Sequence, residues 1–251
     1  MNWPFVRPRT WLVTGASRGI GRAVAEAALG AGDRVAGLAR DVTPLTESVT
    51  RHEGRLAAYS VDVADRERVF AAVERATADL GPPDVLVCNA GRMLFGMVEE
   101  TTEAEARDHL DVNLFGALWP VQAVLPRMRD RGGGHILPVT VQDAGGGSAG
   151  VGLYCAGKAA LNALSEALAA EVAGFGVKVT IVEPGPHATG LDGPGLTMTA
   201  EHEAYAARRA ELFGADSSAE PVLGRPADAA ARIVEVTRMV EPPGRISIVA
   251  E

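Results

Sequence analysis

The sequence predicts an α/β protein built on a doubly wound parallel sheet of about seven strands, with helices on both faces. Three observations carry that reading. Short β-branched runs alternate with longer stretches of helical periodicity, the pattern of repeated βαβ units. Asp84–Cys88 is almost wholly apolar, as suits a central parallel strand buried on both faces. Glycines gather at Gly15, Gly19 and Gly21, where the first strand gives way to the first helix. With 251 residues, 47% of them hydrophobic, the chain is long enough to bury such a core as one domain over residues 1–251.

Trp11–Thr14 reads as the first strand and Gly19–Gly30 as its helix. Arg34–Ala39 is the second strand and Arg55–Val61 the third. Arg66–Leu80 has helical spacing and stops at Gly81-Pro82-Pro83, a strong breaker. Asp84–Cys88 follows as the fourth strand. Thr102–Arg129 is expected to form one long helix bent near Pro120, because proline removes a backbone donor. His135–Val141 is the fifth strand, Gly152–Ala173 a long helix and Val177–Glu183 the sixth strand. Residues 185–221 fit no regular element except a helical patch around Glu201–Leu212, and such a stretch reads as a substrate lid; the alternative is a surface insertion. Ala227–Val240 is a further helix and Arg245–Val249 the last strand.

A net charge of −8 argues against a nucleic-acid binder, which carries a clustered basic face. Cys88 and Cys155 are too few for a disulfide framework, so a reduced, cytoplasmic setting is expected. Met1–Thr10 has no uninterrupted apolar run and contains Pro4 and Pro8, so no signal peptide is expected. Glu166, Glu171 and Lys178 interrupt the apolar stretch Ala159–Val182, and no membrane span is expected. His52, His109, His135 and His202 lack ligand spacing, so no metal is expected.

The first strand runs into Thr14-Gly15-Ala16-Ser17-Arg18-Gly19-Ile20-Gly21, and a helix opens there. Glycines let the backbone turn tightly and approach a pyrophosphate, while the helix N-terminus offers N–H groups and partial positive charge. In a strand–turn–helix context this marks a Rossmann-type dinucleotide site. The spacing is Gly-x3-Gly-x-Gly, not Gly-x-Gly-x-x-Gly. It resembles the Thr-Gly-x3-Gly-x-Gly pattern of the short-chain dehydrogenase/reductase family, and the resemblance extends from about Arg9 to Val249. It implies that Gly15, Ser17, Arg18, Gly19, Ile20 and Gly21 hold the cofactor.

Charge selects NADP(H) over NAD(H). The second strand ends Gly37-Leu38-Ala39-Arg40, with Ala39 where an NAD-binding protein places an acid for the ribose hydroxyls. Arg40, with Arg18 in the glycine loop, suits a 2′-phosphate instead. Asp41 follows Arg40 and reads as an acid of the kind common at helix entries, pointing outward. The family resemblance further implies that Asp62, in Val61-Asp62-Val63, contacts the adenine with Val63. It implies that Asn89-Ala90-Gly91 lines the cofactor, Cys88 standing where the family has a first asparagine. Pro184 and Gly185 do likewise, and Thr189 meets the nicotinamide carboxamide.

Tyr154-Cys155-Ala156-Gly157-Lys158 sets a phenol and an ammonium at i and i+4, on one face of a helix. Tyrosine titrates near ~10, and a lysine cation is expected to draw it toward working pH. In the resembled family this tyrosine exchanges a proton with the substrate oxygen and the lysine holds the nicotinamide ribose. Asn113 matches the asparagine that supports a water-borne proton relay to the lysine. The family's serine is missing. Thirteen residues before Tyr154 stands Val141, and alignment on Ala144-Gly145 puts Gln142 there instead. Pro138 also replaces an asparagine. Three accounts stay open: Thr140 or Gln142 supplies the donor, the substrate brings its own hydroxyl, or carbonyl chemistry is impaired. The first two are preferred, since losing one such donor costs about 10²–10³ in rate without abolishing turnover.

The chain thus reads as an NADPH-dependent reductase, or reverse alcohol dehydrogenase, of a bulky or aromatic ketone. Leu191, Leu196, Met198, Tyr205 and Leu212 are available to line its pocket, and His187 lies close by. The partner is a small carbonyl or alcohol, and the family resemblance implies a homodimer or homotetramer through Thr102–Arg129 and Gly152–Ala173. Two alternatives are a catalytically impaired NADP-binding regulatory or sensor protein and a cofactor-independent relative such as a dehalogenase.

Overall fold

The structure is a computed structural model and describes residues 7–142, 146–189, 195–213 and 223–249. In chain order its strands are β1 (Thr10–Thr14), β2 (Arg34–Ala39), β3 (Leu56–Ser60), β4 (Val85–Cys88), β5 (Met93–Phe95), β6 (Gly134–Pro138), β7 (Val177–Val179), β8 (Ile181–Pro184), β9 (Leu196–Met198) and β10 (Arg245–Ile248). Six form one parallel sheet in the order β3-β2-β1-β4-β6-β7. Leu86 in the middle faces Leu12 on one side and Ile136 on the other. The chain reverses its direction of travel across the sheet between β1 and β4, which opens a crevice at the strands' carboxyl ends.

The seventh expected strand is present as β10, which pairs in parallel with β8. Strand six, expected to be continuous over Val177–Glu183, divides into β7 and β8 at Thr180. Pro138 accounts for the break. On this side of β6, Thr180 N donates to the Ile136 carbonyl at 3.0 Å and Thr140 N to the Val182 carbonyl at 2.8 Å. Between them stands a residue with no N–H to give, so the ladder lapses and strand five ends at Pro138 rather than Val141. A single Val139–Val182 bridge rejoins the sheets.

The helices are α1 (Gly19–Gly30), α2 (Thr46–Arg51), α3 (Arg66–Leu80), α4 (Glu103–Leu110), α5 (Gly116–Asp130), α6 (Gly152–Val172), α7 (Ala206–Phe213) and α8 (Pro226–Val236). Strand side chains alternate between two cores, as a period of two requires. Leu12, Leu86 and Ile136 join α3, α5 and α6, through Val69, Val73, Val124, Leu161 and Val172. Trp11, Val13, Val85 and Leu137 join α1 and α8, through Val24, Ala28, Ala229 and Ile233. Asp65 caps α3 by accepting from Arg68 N at 3.0 Å, and Thr102 with Glu105 forms a capping box on α4.

The helix expected unbroken over Thr102–Arg129 is two helices joined by a π-helical turn, Asp111–Phe115. Pro120 sits inside α5, past the π-helical turn. It cannot donate to the carbonyl four residues back, Gly116, and the chain widens just ahead of that residue. Past residue 185, the helical patch appears as a short 3-10 turn, Glu203–Tyr205, followed by α7. The small parallel pair β5–β9 ties this segment to the main body. Among the described residues, no helix is long and apolar enough to cross a membrane.

Candidate active site

The glycine loop is built from beneath by Thr14. Its hydroxyl, fully buried, accepts from Asn89 N and Ala90 N at 3.0 Å each. The Asn89 amide returns two bonds, to the carbonyls of Thr14 at 3.1 Å and Gly15 at 3.2 Å. Two glycines are obligatory for distinct reasons. Gly15 has φ 65°, and a Cβ there would stand 2.9 Å from Asn89 Nδ2 and 3.0 Å from Ala90 Cα. A Cβ on Gly21 would run into the Gly15 carbonyl oxygen, so Gly21 lies under the loop and supports it without lining the cleft.

Above the loop a cavity of about 860 Å³ runs along the carboxyl ends of the strands. Ser17, Arg18, Gly19 and Ile20 line it at one end, beside Arg40, Asp62 and Val63. Asn89, Ala90 and Gly91 form its floor, Tyr154 and Lys158 stand at the other end, and Pro184, Gly185 and Thr189 complete the lining. Arg40 is exposed at the rim, Ala39 buried below it, and Asp41 turns its carboxylate to accept from Thr43 N at 2.9 Å. Thr189 packs over Gly19, whose φ of 54° and close approach leave no room for a side chain. A bare glycine floor, a rim arginine and a helix N-terminus suit the pyrophosphate and phosphorylated ribose of a dinucleotide.

Tyr154 and Lys158 share one face of α6, both buried, with the ammonium 5.9 Å from the phenol ring centroid. Lys158 Nζ donates to the Val139 carbonyl at 2.9 Å. The expected electrostatic effect on the tyrosine does not hold in this structure. Burial, and next Cys155, push Tyr154 up to about 12. Burial pulls Lys158 down to about 8. Sequence spacing gave the pairing but not the desolvation.

Thr140, Val141 and Gln142 all line the cavity beside Tyr154. The Thr140 hydroxyl donates to the Val182 carbonyl at 3.3 Å, so its proton serves the sheet. Gln142 continues the ladder through its N–H to the Pro184 carbonyl at 3.3 Å, with its side-chain oxygen over Gly185. Val141, one of the two candidates for the serine's position, gives that wall an apolar surface. Residues 143–145, including the expected Ala144-Gly145, lie outside the described residues.

Asn113 sits in the π-helical turn, behind Gly91 and out of the cavity. Its amide is locked by Arg92, accepting from the backbone N at 2.9 Å and donating to the backbone O at 2.8 Å. A Cβ on Gly91 would stand 3.2 Å from Asn113 Oδ1 and 3.6 Å from Lys158 Nζ, so a side chain there would crowd the asparagine. His187 Nδ1 donates to the Gly185 carbonyl at 2.8 Å, and its ring packs over Gly224.

Two features escape sequence reasoning. One is His109, fully buried against Asn113 and Tyr154. The other anchors the segment beyond residue 195. Buried Arg209 of α7 binds the buried Glu100 carboxylate through Nη2 and through Nε at 3.2 Å. Glu100 also accepts from Met97 N at 2.8 Å, His202 N at 3.0 Å and the Thr199 hydroxyl at 3.1 Å. Arg209 above all holds this carboxylate down to about 2. Tyr205 donates to Glu99 at 2.6 Å. Of the residues expected to line the pocket, Leu196, Met198, Tyr205 and Leu212 are not among those lining the cavity, Leu196 being half-buried and Met198 exposed, while Leu191 lies outside the described residues.

Comparison with known proteins places this geometry among relatives. The family described as short chain dehydrogenase matches residues 9–198. A short-chain dehydrogenase structure from Streptomyces avermitilis is 42% identical with a TM-score of 0.86, over 99% of this chain and 89% of that one. Oxidoreductase BOA17 of Botryotinia fuckeliana is 33% identical over 96% of this chain and 88% of its own length. ElxO, solved with NADP bound, is 25% identical with a TM-score of 0.78, over 97% of this chain and 98% of that one.

Proposed function

This chain belongs to the short-chain dehydrogenase family of oxidoreductases, and on that premise we propose that it is an NADP(H)-dependent reductase of a bulky ketone, or the reverse alcohol dehydrogenase. The observation that carries this reading is one continuous cavity, with Arg18 and Arg40 at one end and Tyr154 and Lys158 at the other. Arg40 and Arg18 bind the 2′-phosphate, where an acid would repel it and Ala39 does not. The NADP bound to ElxO supports the choice. When bound, the cofactor supplies the hydride for the carbonyl carbon or takes it up in the reverse direction.

The protein's own residues handle the proton. Tyr154 Oη carries it toward the carbonyl oxygen, and its raised pKa keeps that proton in place until a negative oxygen calls for it. Lys158, with its proton loosened by burial, replenishes it from the Asn113 side. Val141 offers no hydrogen bond, so Gln142 or a hydroxyl on the substrate steadies the oxygen. Val141, Val112, Met93 and Leu223 give the substrate end an apolar lining, which suits a large or aromatic ketone.

The lid expected in this part of the chain is served by its described stretches, residues 185–189 and 195–213, the latter fastened through Glu100 and Arg209. The partner is a second copy of the chain, in a homodimer or homotetramer, and the stacked pair Phe115–Trp119, with Phe115 37% exposed, supports pairing on the α4–α5 side. The alternative, an NADP-binding regulatory protein without turnover, is favoured by Val141 alone. NADPH consumption across a ketone panel that includes aromatic polyketides separates the two. Turnover that vanishes in Tyr154→Phe while NADPH binding persists supports the reductase; binding without turnover on any ketone overturns it.

A further inference from the structure

Among the described residues, His109 is a buried titratable side chain beside Tyr154 that the proposed chemistry leaves unused. Its position in the fold gives it two neighbours of mechanistic weight, Asn113 and Tyr154. It lies at the end of α4, a turn ahead of Asn113, and is 1% exposed. Asn113 Nδ2 is 2.7 Å from its Nε2 and 3.5 Å from its Nδ1, so Nε2 is the nearer partner of the amide. Its ring meets the Tyr154 ring edge-on, with centroids 6.2 Å apart and planes at 69°. Gly157 of α6 packs beside it, at ordinary contact distance: a Cβ there would stand 3.8 Å from His109 Nε2 and 3.8 Å from Asn113 Cβ.

The protonation pattern follows from the neighbours. Asn113 receives the Arg92 N–H on its oxygen and gives one amide proton to the Arg92 carbonyl, so which end of the amide is nitrogen is fixed. The second amide proton points at His109 Nε2. That nitrogen must accept, which leaves a neutral ring with its proton on Nδ1. The charged groups facing the ring agree. Arg92 from the loop after β4 and Lys158 from α6 oppose a positive imidazole, and only Asp108 on its own helix favours one. Asp108 is itself paired with Arg92. Tyr154, the remaining titratable neighbour, is held neutral by burial.

We propose, on the reading of Tyr154 as proton donor, that His109 is a positioning residue. Its neutral Nδ1–H ring satisfies the second amide proton of Asn113 and braces the Tyr154 ring. One buried imidazole thereby fixes both groups between which Lys158 works. Protonation of the ring would set an N–H against the amide N–H₂ and add a third positive charge beside Lys158 and Arg92. Asn113 would then lose its lock and the proton route its alignment.

Two variants and one spectrum test this. His109→Leu keeps the volume but removes the acceptor, while His109→Gln can present an oxygen near the Nε2 position. In His109→Leu, kcat is expected to fall about tenfold or more, because proton transfer tolerates little displacement. KM for the ketone and Kd for NADPH should stay within about twofold, and His109→Gln should recover most of kcat. The acid limb of the wild-type kcat profile should be displaced in His109→Gln, which has no ring to protonate. An unchanged kcat in His109→Leu, or a His109→Gln variant no better than it while both bind NADPH, overturns the proposal. The spectrum is independent of turnover: ¹⁵N-histidine NMR at pH 7 should show the neutral Nδ1–H form at His109. An Nε2–H or charged ring overturns the positioning role even where ketones are reduced. A wild type that reduces no ketone overturns the reductase reading instead, and the tautomer still decides whether the Asn113 lock exists.

Discussion

Replacing Thr14 by valine isolates what holds the nucleotide cleft open. Valine matches threonine in shape and keeps the strand, but it has no oxygen to receive the N–H groups of Asn89 and Ala90, each 3.0 Å from Thr14 Oγ1. An amide deprived of its partner costs roughly 1–3 kcal/mol when buried, and these two are only half-buried, so the lower part of that range applies to each. The sum is about 2–4 kcal/mol. A domain of this size loses roughly 2–4 °C in Tm per kcal/mol, which gives a fall of about 5–15 °C. The same change loosens the Asn89-Ala90-Gly91 floor of the cavity, so NADPH affinity should drop along with Tm. Differential scanning fluorimetry and a dinucleotide titration on Thr14→Val and Thr14→Ser read both effects. Serine keeps the oxygen and should stay near wild type. A Thr14→Val protein that melts within 2 °C of wild type (about the scatter such a shift must exceed) and binds NADPH equally would refute this account of the loop.

Other consequences follow from the same geometry. Arg40→Asp should reverse dinucleotide preference toward NADH, read as the ratio of kcat/KM for the two cofactors; an unchanged ratio removes Arg40 from phosphate recognition. His109 and His135 are both pulled down to about 4, chiefly by burial, so the unfolded chain takes up protons before the folded one. Stability is therefore full above pH 6.5 and is lost as pH falls from there toward 4, by roughly 1–2 kcal/mol apiece at pH 5. Urea unfolding at pH 7 and pH 5 checks this, and a His109→Gln, His135→Gln double variant should lose less than wild type. Arg209→Leu strips the partner from a buried carboxylate that also gathers Thr199 and His202. It should raise KM for the ketone more than Kd for NADPH and expose the chain near Thr199 to protease; an unaltered KM would mean that this segment does not cover the substrate.

How far the site could be read from sequence depends on how local its parts are. The glycine loop and the Tyr154–Lys158 pair each occupy one turn of chain, so residue type and spacing suffice. The strand alternation was legible because each βαβ unit declares itself by its own period. Thr14 and Asn89 are 75 residues apart, and Glu100 and Arg209 are 109 apart, so nothing in either neighbourhood announces the partner. Pro138 was legible as a disturbance of the sheet, yet only the register shows that the break falls on the β7–β8 side. The helix break was misplaced for a related reason: Pro120 shows where a donor is missing, not which turn upstream will widen to accommodate it. The tyrosine was misjudged electrostatically because spacing reveals a nearby charge but not how deeply both groups are buried.

The central claim is a positively lined dinucleotide cleft ending at a buried phenol. Titrating the purified protein with NADPH and with NADH, following quenching of its tryptophans, tests that claim before any substrate is known. The account expects saturable binding of both, with NADPH at least about tenfold tighter, the worth of one charge-assisted phosphate contact. No saturable binding of either dinucleotide would contradict it.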